Sequence, residues 1–412
     1  MASERVFGNE TELRSDPDAD RIIEIINAAT IFKMMMAAIE IGLFDALETE
    51  EGFITSHSFA SKHGYDVDIT ERLFDALSCS GLLEKETSSK GYYEYRNTSG
   101  TRKYLTKTKL PTLLSLAFLE ETMVFRTLEK LPEILKSGKR MMNIMNLKQP
   151  MAASHQQTGA AFHNAPAQII NPMGKYSKNT EKNDIKASKE NESKDLNSIS
   201  TLPSPHHKAS QLVDLQMQFM LSMDGIAATC ASAIAQAFDI SSHRTAVDLG
   251  GGSGRIANEF TNTFPEMEVI VLDLPPVVQA TQKHLLHHQN DRITFVEGDM
   301  LVDSLPKGDL YILGHVLHGF SKANINTILK KIFDKLPRGG SLLVLEKVMS
   351  DDKTAPDIPI TNNLVLSMIT EGRERTILEY RKLLMKHGFK HTKMRRIEGY
   401  NYYDAILAKK PF

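Results

Sequence analysis

Three side chains late in the chain have the types needed to take a proton from a hydroxyl group: His318, Glu346 and Glu374. Histidine is the side chain whose ordinary pKa suits proton removal near neutrality. A carboxylate bonded to the far imidazole nitrogen would fix its tautomer and stabilise the imidazolium. His318 follows the apolar run Leu310-Tyr311-Ile312-Leu313-Gly314, Glu346 closes a second run that opens at Ser341, and Glu374 sits in the polar stretch Thr370–Thr376. A phenol has a pKa of ~10 and histidine ~6.5, so complete transfer before attack costs roughly 5 kcal/mol. Alignment of the reactants supplies ~7–11 kcal/mol, so assisted proton removal is reasonable with these groups.

A second constellation precedes the first. Val247-Asp248-Leu249-Gly250-Gly251-Gly252-Ser253-Gly254 is a glycine-rich turn after an apolar run. Such a turn lets the backbone approach a ligand closely, with a helix N-terminus beyond it. The dinucleotide fingerprint wants its third glycine at the position of Arg255, which disfavours a nicotinamide. Asp273 ends the next apolar run, placed to accept hydrogen bonds from ribose hydroxyls. Asp299 can meet an adenine amino group, with Met300 on the ring face. No lysine in the loop suits phosphates. The set describes an adenosine without phosphates, which S-adenosylmethionine fits better than a nucleotide does.

The elements that must hold these residues alternate. Strands are expected at Thr245–Leu249, Glu268–Asp273, Arg292–Glu297, Leu310–Gly314 and Ser341–Lys347, with helical patterns between them. That alternation implies an α/β fold, a mostly parallel Rossmann-like sheet with helices on both faces. Lys390–Ile397 and Tyr402–Lys409 flank a Glu-Gly-Tyr-Asn turn and should pair as a C-terminal antiparallel hairpin. Active-site groups then gather at the carboxyl ends of the parallel strands.

Upstream, Ile22, Ile25, Ile26, Ala29, Phe32, Met36 and Ile39 recur at helical spacing. Residues 53–105 read as helix, helix, hairpin, a winged-helix pattern. No basic cluster accompanies its second helix, so nucleic acid is not the expected partner. Helical pattern resumes from about Leu110 to Leu135 and again from Ser210. Between them, residues 175–200 hold six lysines and five acids with few apolar residues, which predicts a disordered insertion. The expected organisation is a polar arm at 1–18, an N-terminal domain at 19–138, an insertion at 139–209 and a catalytic domain at 210–412.

The 412 residues exceed what one hydrophobic core usually serves, roughly 250–300 residues. Charge is balanced, 49 Lys+Arg against 51 Asp+Glu, which also argues against binding by phosphate neutralisation. Cys79 and Cys230 are the two cysteines, too few for a disulfide scaffold or a thiolate zinc site. No unbroken run of ~18 apolar residues occurs, so no membrane span is expected. The first residues lack a signal-peptide core, and the cytoplasm is the expected location. Tryptophan is absent.

These motifs together resemble the S-adenosylmethionine-dependent O-methyltransferases of the acetylserotonin (hydroxyindole) and plant caffeate type. Ala-Ala-Ile-Glu-Ile-Gly-Leu-Phe-Asp-Ala-Leu at 37–47, the glycine turn at 247–254, Val-Leu-Asp-Leu-Pro at 271–275 and Glu-Gly-Asp-Met at 297–300 carry the resemblance. So do Asp-Leu-Tyr-Ile-Leu at 309–313, Val-Leu-His at 316–318, Glu-Gly-Arg-Glu-Arg-Thr at 371–376 and Tyr-Asp-Ala-Ile-Leu-Ala at 403–408. The resemblance implies a homodimer through N-terminal helices and no catalytic metal. It implies His318 as general base flanked by Glu346 and Glu374. Cofactor contacts are implied at Gly250, Gly252, Asp273, Leu274, Asp299 and Met300, with His315 where the family carries a basic residue on the adenine side. The acceptor implied is a small hydroxylated aromatic molecule.

The departures concern that acceptor. The family's His-Asp-Trp is here His318-Gly319-Phe320, so Phe320 takes the tryptophan slot. Two polar substrate contacts align with Val365 and Ile369. Met220 and Met223 are candidates to line the acceptor pocket, or plain core methionines. A site without amide-recognising groups loses affinity for an N-acetyl side chain, so another phenol, or a weakly catalytic binding protein, is an alternative reading.

Overall fold

The computed structural model describes residues 17–49, 52–107, 112–140, 205–284, 290–399 and 403–412. The disordered-insertion reading of 175–200 therefore concerns residues outside those described. The chain divides into two compact units at Thr112/Leu113.

The first unit contains α1 (Pro17–Glu40), α2 (Leu43–Thr49), α3 (Ser56–His63), α4 (Val67–Cys79), β1 (Leu83–Thr87), β2 (Tyr93–Asn97) and α5 (Ser99–Tyr104). The Thr55 side chain accepts the Ser58 N–H and starts α3; Gly64, at φ 72°, stops it. The Asp66 carboxylate accepts the Ile69 N–H and starts α4. β1 and β2 pair antiparallel from Leu83↔Asn97. Phe44, Phe59, Phe74, Leu77 and Tyr95 are buried at the centre. Helix, helix and hairpin follow one another as the sequence predicts.

α1 differs from expectation. Its stretch Ala19–Glu40 is long and apolar enough to cross a membrane by length and composition. This corrects the expectation that no segment is. Counting unbroken runs missed it, because Glu24, Asn27, Thr30 and Lys33 interrupt the apolar residues between Ile22 and Ile39. Ile22, Ile23, Ile25 and Ile26 are each 59–63% exposed within this chain.

The second unit opens with α6 (Leu114–Leu119), a π-helical turn (Glu120–Val124), α7 (Phe125–Glu129), α8 (Leu131–Ser137) and the long α9 (Pro205–Ala235). The sequence boundary at 138 is thus displaced to 112, because α6 packs along α9. Leu116 reaches the core formed by Ile226, Cys230 and Ile234. After α9 come β3 (Thr245–Leu249), α10 (Arg255–Thr263), β4 (Glu268–Asp273), α11 (Pro275–His284), β5 (Ile293–Glu297) and β6 (Leu310–Gly314). Then follow α12 (Lys322–Lys335), β7 (Ser341–Glu346), β8 (Val348–Met349), α13 (Asp357–Ile369), β9 (Arg375–Thr376), α14 (Ile377–Lys386), β10 (Lys390–Arg395) and β11 (Asp404–Lys409).

Seven strands form one sheet in the order β10-β11-β7-β6-β3-β4-β5. β3 to β7 are parallel, while β11 runs antiparallel to both β7 and β10. The expected hairpin is present, although residues 400–402 of its turn lie outside those described. Arg292 and Lys347, expected in strands, fall just outside them. Arg292 donates to the carbonyls of Phe264, Pro265 and Met267 instead. At Lys347 the chain leaves the ladder so that β8 can pair with β9, Val348 opposite Arg375.

Each face of the sheet buries an apolar layer. Phe260, Val269, Ile312, Leu343 and Leu345 pack with the α9 residues on one face. Val247, Leu313, Val344, Ile328 and Leu384 pack on the other. Each such side chain contributes about 1.5–3 kcal/mol when fully buried. Strand order reverses between β3 and β6. The loops that leave these neighbours diverge and open a crevice at their carboxyl ends.

Candidate active site

The glycine turn leaves β3 on one side of that crevice. Gly250, Gly252 and Gly254 all have positive φ, 73°, 55° and 76°, which only glycine adopts without strain. The Gly250 N–H donates to Leu272 O at 2.8 Å. The Asp273 carboxylate ties the turn down: Oδ2 accepts the Gly252 N–H at 2.9 Å and Oδ1 accepts the Leu274 N–H at 2.7 Å. A carboxylate offers about four acceptor positions, so Asp273 retains capacity for two ribose hydroxyls. A Cβ on Gly250 would stand 3.1 Å from both Met300 Cε and Val316 Cγ2. Turn, thioether and valine therefore border one narrow space. Asp299 Oδ1 accepts the Leu301 N–H at 2.8 Å, and Lys331 Nζ donates to Met300 O at 2.7 Å. Gly250, Gly252, Asp273, Leu274, Asp299 and Met300 thus lie at the ends of β3, β4 and β5. Two acceptor carboxylates, a thioether and a glycine turn suit an adenosine.

Burial raises the Asp273 carboxyl, opposed by its two backbone hydrogen bonds. Burial, and then the nearby Asp273, push Asp248 up to about 7.

On the other side of the crevice, β6 ends at Gly314 and a 3₁₀ turn holds Leu317–Gly319. Glu346 Oε1 accepts three successive backbone N–H groups from this turn: Val316 at 3.1 Å, Leu317 at 2.7 Å and His318 at 3.3 Å. Its Oε2 stands 3.7 Å from His318 Nδ1. Glu346 therefore acts first on the backbone of the turn, a role its sequence position did not disclose. Glu374 takes the imidazole, with Nδ1 at 2.9 Å from Oε1. The proton belongs on Nδ1, which leaves the Nε2 lone pair to accept another.

The support for Glu374 was also unforeseen. Asn362 Nδ2 donates to Glu374 Oε1, and the Glu374 N–H donates to Asn363 Oδ1 at 2.9 Å. Arg375 Nη1 donates to Leu317 O at 3.2 Å. A Cβ on Gly372 would overlap the His318 carbonyl oxygen, so this glycine lets the 371–373 loop lie against His318. The signal available was Asn-Asn one helical stretch before Glu-Gly-Arg-Glu.

Burial lowers the His318 pKa, but the Glu346 charge and the Glu374 hydrogen bond and charge outweigh it, so the imidazole is raised above its ordinary value. Burial pushes Glu346 up to about 7, with the His318 charge opposing. His315, at φ 58°, packs its ring 4.0 Å from that of His318 and 4.7 Å from that of Tyr403. Its Nε2 is buried without a hydrogen-bond partner among the described residues. Burial first, then His318 and Lys347, hold it well below its ordinary pKa. Those surroundings disfavour its charged form.

Atoms of His315, His318 and Glu374 lie within 4.8 Å of one another, a spacing that metal ions also use. Glu374 Oε1, however, already accepts from both His318 Nδ1 and Asn362 Nδ2. That bonding fixes the orientation of the His318 ring.

The acceptor-side candidates are more dispersed. Met220 is buried; the Thr281 hydroxyl meets its Sδ at 3.4 Å and Gly252 O at 3.1 Å, placing it beside the glycine turn. Met223 packs half-buried on the α9 core. Val365 and Ile369 are half-buried on α13, three and seven residues beyond Asn362 and on the same helical face.

Comparison with known proteins follows these two units. The O-methyltransferase dimerisation domain family matches residues 23–107, and the O-methyltransferase domain family matches residues 203–390. Acetylserotonin O-methyltransferase of Bos taurus is 38% identical over 197 residues, 48% of this chain and 56% of that protein. The Gallus gallus enzyme of the same name is 27% identical over 389 residues, 94% of this chain and 96% of that protein. The crystal structure of human N-acetylserotonin methyltransferase in complex with SAM superposes with a TM-score of 0.75 at 25% identity, covering 97% of this chain and 99% of that one.

Proposed function

Given that this chain is an S-adenosylmethionine-dependent O-methyltransferase related to the acetylserotonin and caffeate enzymes, we propose that His318 is its general base and N-acetylserotonin its nominal acceptor. S-adenosylmethionine supplies an electrophilic methyl group. Gly250, Gly252, Asp273, Leu274, Asp299 and Met300 would hold it. His318 Nε2 takes the proton of the acceptor hydroxyl as the oxygen attacks. The imidazolium that forms is stabilised through Nδ1 by Glu374, while Glu346 keeps the turn that carries the base in place. Glu346 and Glu374 are fully buried and His318 nearly so, and seclusion from water strengthens both interactions.

The observation that carries this reading is the 2.9 Å contact of His318 Nδ1 with a fully buried Glu374 carboxylate. The chain acts as a homodimer in this proposal, supported by the matched dimerisation domain and by the exposed isoleucines of α1.

A second acceptor reading has its own support. Gly319 offers no side chain to a substrate, and Val365 and Ile369 cannot bond an amide. These residues favour a less polar phenol over N-acetylserotonin. The test is a methyl-transfer screen with labelled S-adenosylmethionine against N-acetylserotonin and a panel of simple phenols. Transfer to N-acetylserotonin supports the first acceptor, and transfer to other phenols alone supports the second. Transfer to neither, by a protein that binds S-adenosylmethionine, would refute the proposed reaction.

A further inference from the structure

The helix that leaves the glycine turn begins with a residue its own dipole disfavours. Arg255 is the first residue of α10, directly after Gly254, and a cation is unfavourable at a helix N-terminus. The side chain therefore answers to something other than its helix. Its guanidinium holds Asp224 of α9 through two bonds: Nε donates to Oδ1 at 3.0 Å and Nη2 donates to Oδ2 at 2.7 Å. Asp224 is buried, and the Arg255 side chain is 19% exposed. A bidentate guanidinium–carboxylate pair fixes orientation as well as distance. It sets the start of α10 at one place and one angle against α9.

α9 reaches the same turn at a second point. Met220 lies one helical turn before Asp224, on the same face. The Thr281 hydroxyl stands 3.4 Å from Met220 Sδ and 3.1 Å from Gly252 O. The two points bracket Gly252–Gly254, which Asp273 holds from the sheet side through the Gly252 N–H at 2.9 Å. Ile226 and Ala227 of α9 share a core with Ile256 and Ala257 of α10. Apolar burial is non-directional, so that core alone would let the turn shift. The ion pair supplies the direction.

We propose that Asp224 and Arg255 are positioning residues for the cofactor: their paired side chains fasten the glycine turn to α9 in the shape that receives S-adenosylmethionine. Because α9 also carries Met220 and Met223, the pair sets the cofactor turn and these acceptor-side candidates in one frame. Neither residue touches the reacting atoms. Their effect is on the fraction of protein that is ready to bind. If a broken pair leaves the turn ready about a tenth of the time, the dissociation constant rises about tenfold.

This inference rests on the glycine turn holding S-adenosylmethionine, not on His318, and its main test needs no acceptor. Calorimetry with S-adenosylmethionine on the full-length protein compares the parent with Asp224→Asn, Arg255→Gln and the double variant. Each single change should weaken binding about tenfold, and the double variant no further, because the two side chains act as a unit. Where an acceptor is methylated, KM for S-adenosylmethionine should rise while kcat holds. Asp224→Leu with Arg255→Met separates positioning from packing, and carries the test if the single changes fail to fold. An apolar pair often matches a buried ion pair in stability. Urea denaturation of the unliganded double variant should therefore return near the parent while cofactor affinity stays low. Unchanged affinity in folded variants, additive losses, a loss confined to kcat, or an apolar pair that restores affinity along with stability would each overturn the assignment. Gly250→Ala, which strains the turn itself, checks the premise. Weak binding there beside parent-like binding in Asp224→Asn would remove the role of the ion pair and leave that of the turn. Parent-like binding in Gly250→Ala would remove both.

Discussion

Replacing Glu374 with glutamine removes one charge and little else. The new amide oxygen should remain at the Oε1 position, since His318 Nδ1 and Asn362 Nδ2 both donate there. The amide nitrogen then takes the place of Oε2, which has no hydrogen-bond partner among the described residues. One unsatisfied buried donor costs about 1–3 kcal/mol of stability. The catalytic loss is separate. Full opposite charges at the 2.9 Å separation of Nδ1 and Oε1 interact by about 6 kcal/mol at an effective dielectric of about 20. With the hydroxyl proton about half transferred at the transition state, about 3 kcal/mol is lost, or roughly 100-fold in kcat. The direction with pH provides a second signature. Glu374 helps raise His318, and the base works only above its own pKa, so wild-type activity falls as pH drops through that raised value. In Glu374→Gln the limb should move to lower pH: a slower enzyme that tolerates acid better. The assay is methyl transfer at saturating acceptor across pH, with S-adenosylmethionine affinity measured by calorimetry as a control. A variant within about threefold of wild type, with an unmoved acidic limb, would refute the role assigned to Glu374.

Other consequences can be checked alongside. Gly372→Ala should lower stability by about 3 kcal/mol in urea denaturation, because its Cβ meets the His318 carbonyl; a neutral result would mean that the loop lies away from the base. Asp248 is raised to about 7 by burial, so the native state keeps a proton that the unfolded chain loses above its ordinary value of about 4. Stability therefore declines as pH rises between those values, and Asp248→Asn should flatten that decline in melts at pH 5 and 7.5. Installing amides by Val365→Asn and Ile369→Gln should raise kcat/KM for N-acetylserotonin by several-fold per hydrogen bond, at about 0.5–1.5 kcal/mol each. A gain for simple phenols instead would place these positions outside amide recognition.

The legibility of the molecule followed the range of its interactions. Strand cores such as Thr245–Leu249 and Leu310–Gly314 announce themselves, because their apolar runs are short, bounded by glycine or charge, and decided locally. The acids at strand ends were legible for the same reason. Glu346 was found but its role was not, since the three N–H groups it receives lie 28–30 residues earlier and become adjacent only through the β6–β7 pairing. Asn362 and Gly372 were missed because each acts on a group supplied by another element. The π-helical turn at Glu120–Val124 has no periodic signature. The boundary at 112 depended on α6 choosing α9 as its neighbour, which no local pattern records. Lys347 read as one more strand residue until β8 drew the chain out of the ladder.

The insertion of β11 between β7 and β10 has a bearing on biosynthesis. β7 carries Glu346 at its end, and its partner there is Asp404, whose carboxylate accepts the N–H groups of Val348 and Ile397. A nascent chain that has emerged only as far as β10 therefore has its catalytic strand open along one side. An unpaired, apolar strand is a template for aggregation. The ribosome must carry synthesis past Lys409 before that side can close. Protein stalled or truncated ahead of residue 404 should thus be sticky as well as inactive, and a fusion joined beyond Lys409 should be tolerated better than an early stop.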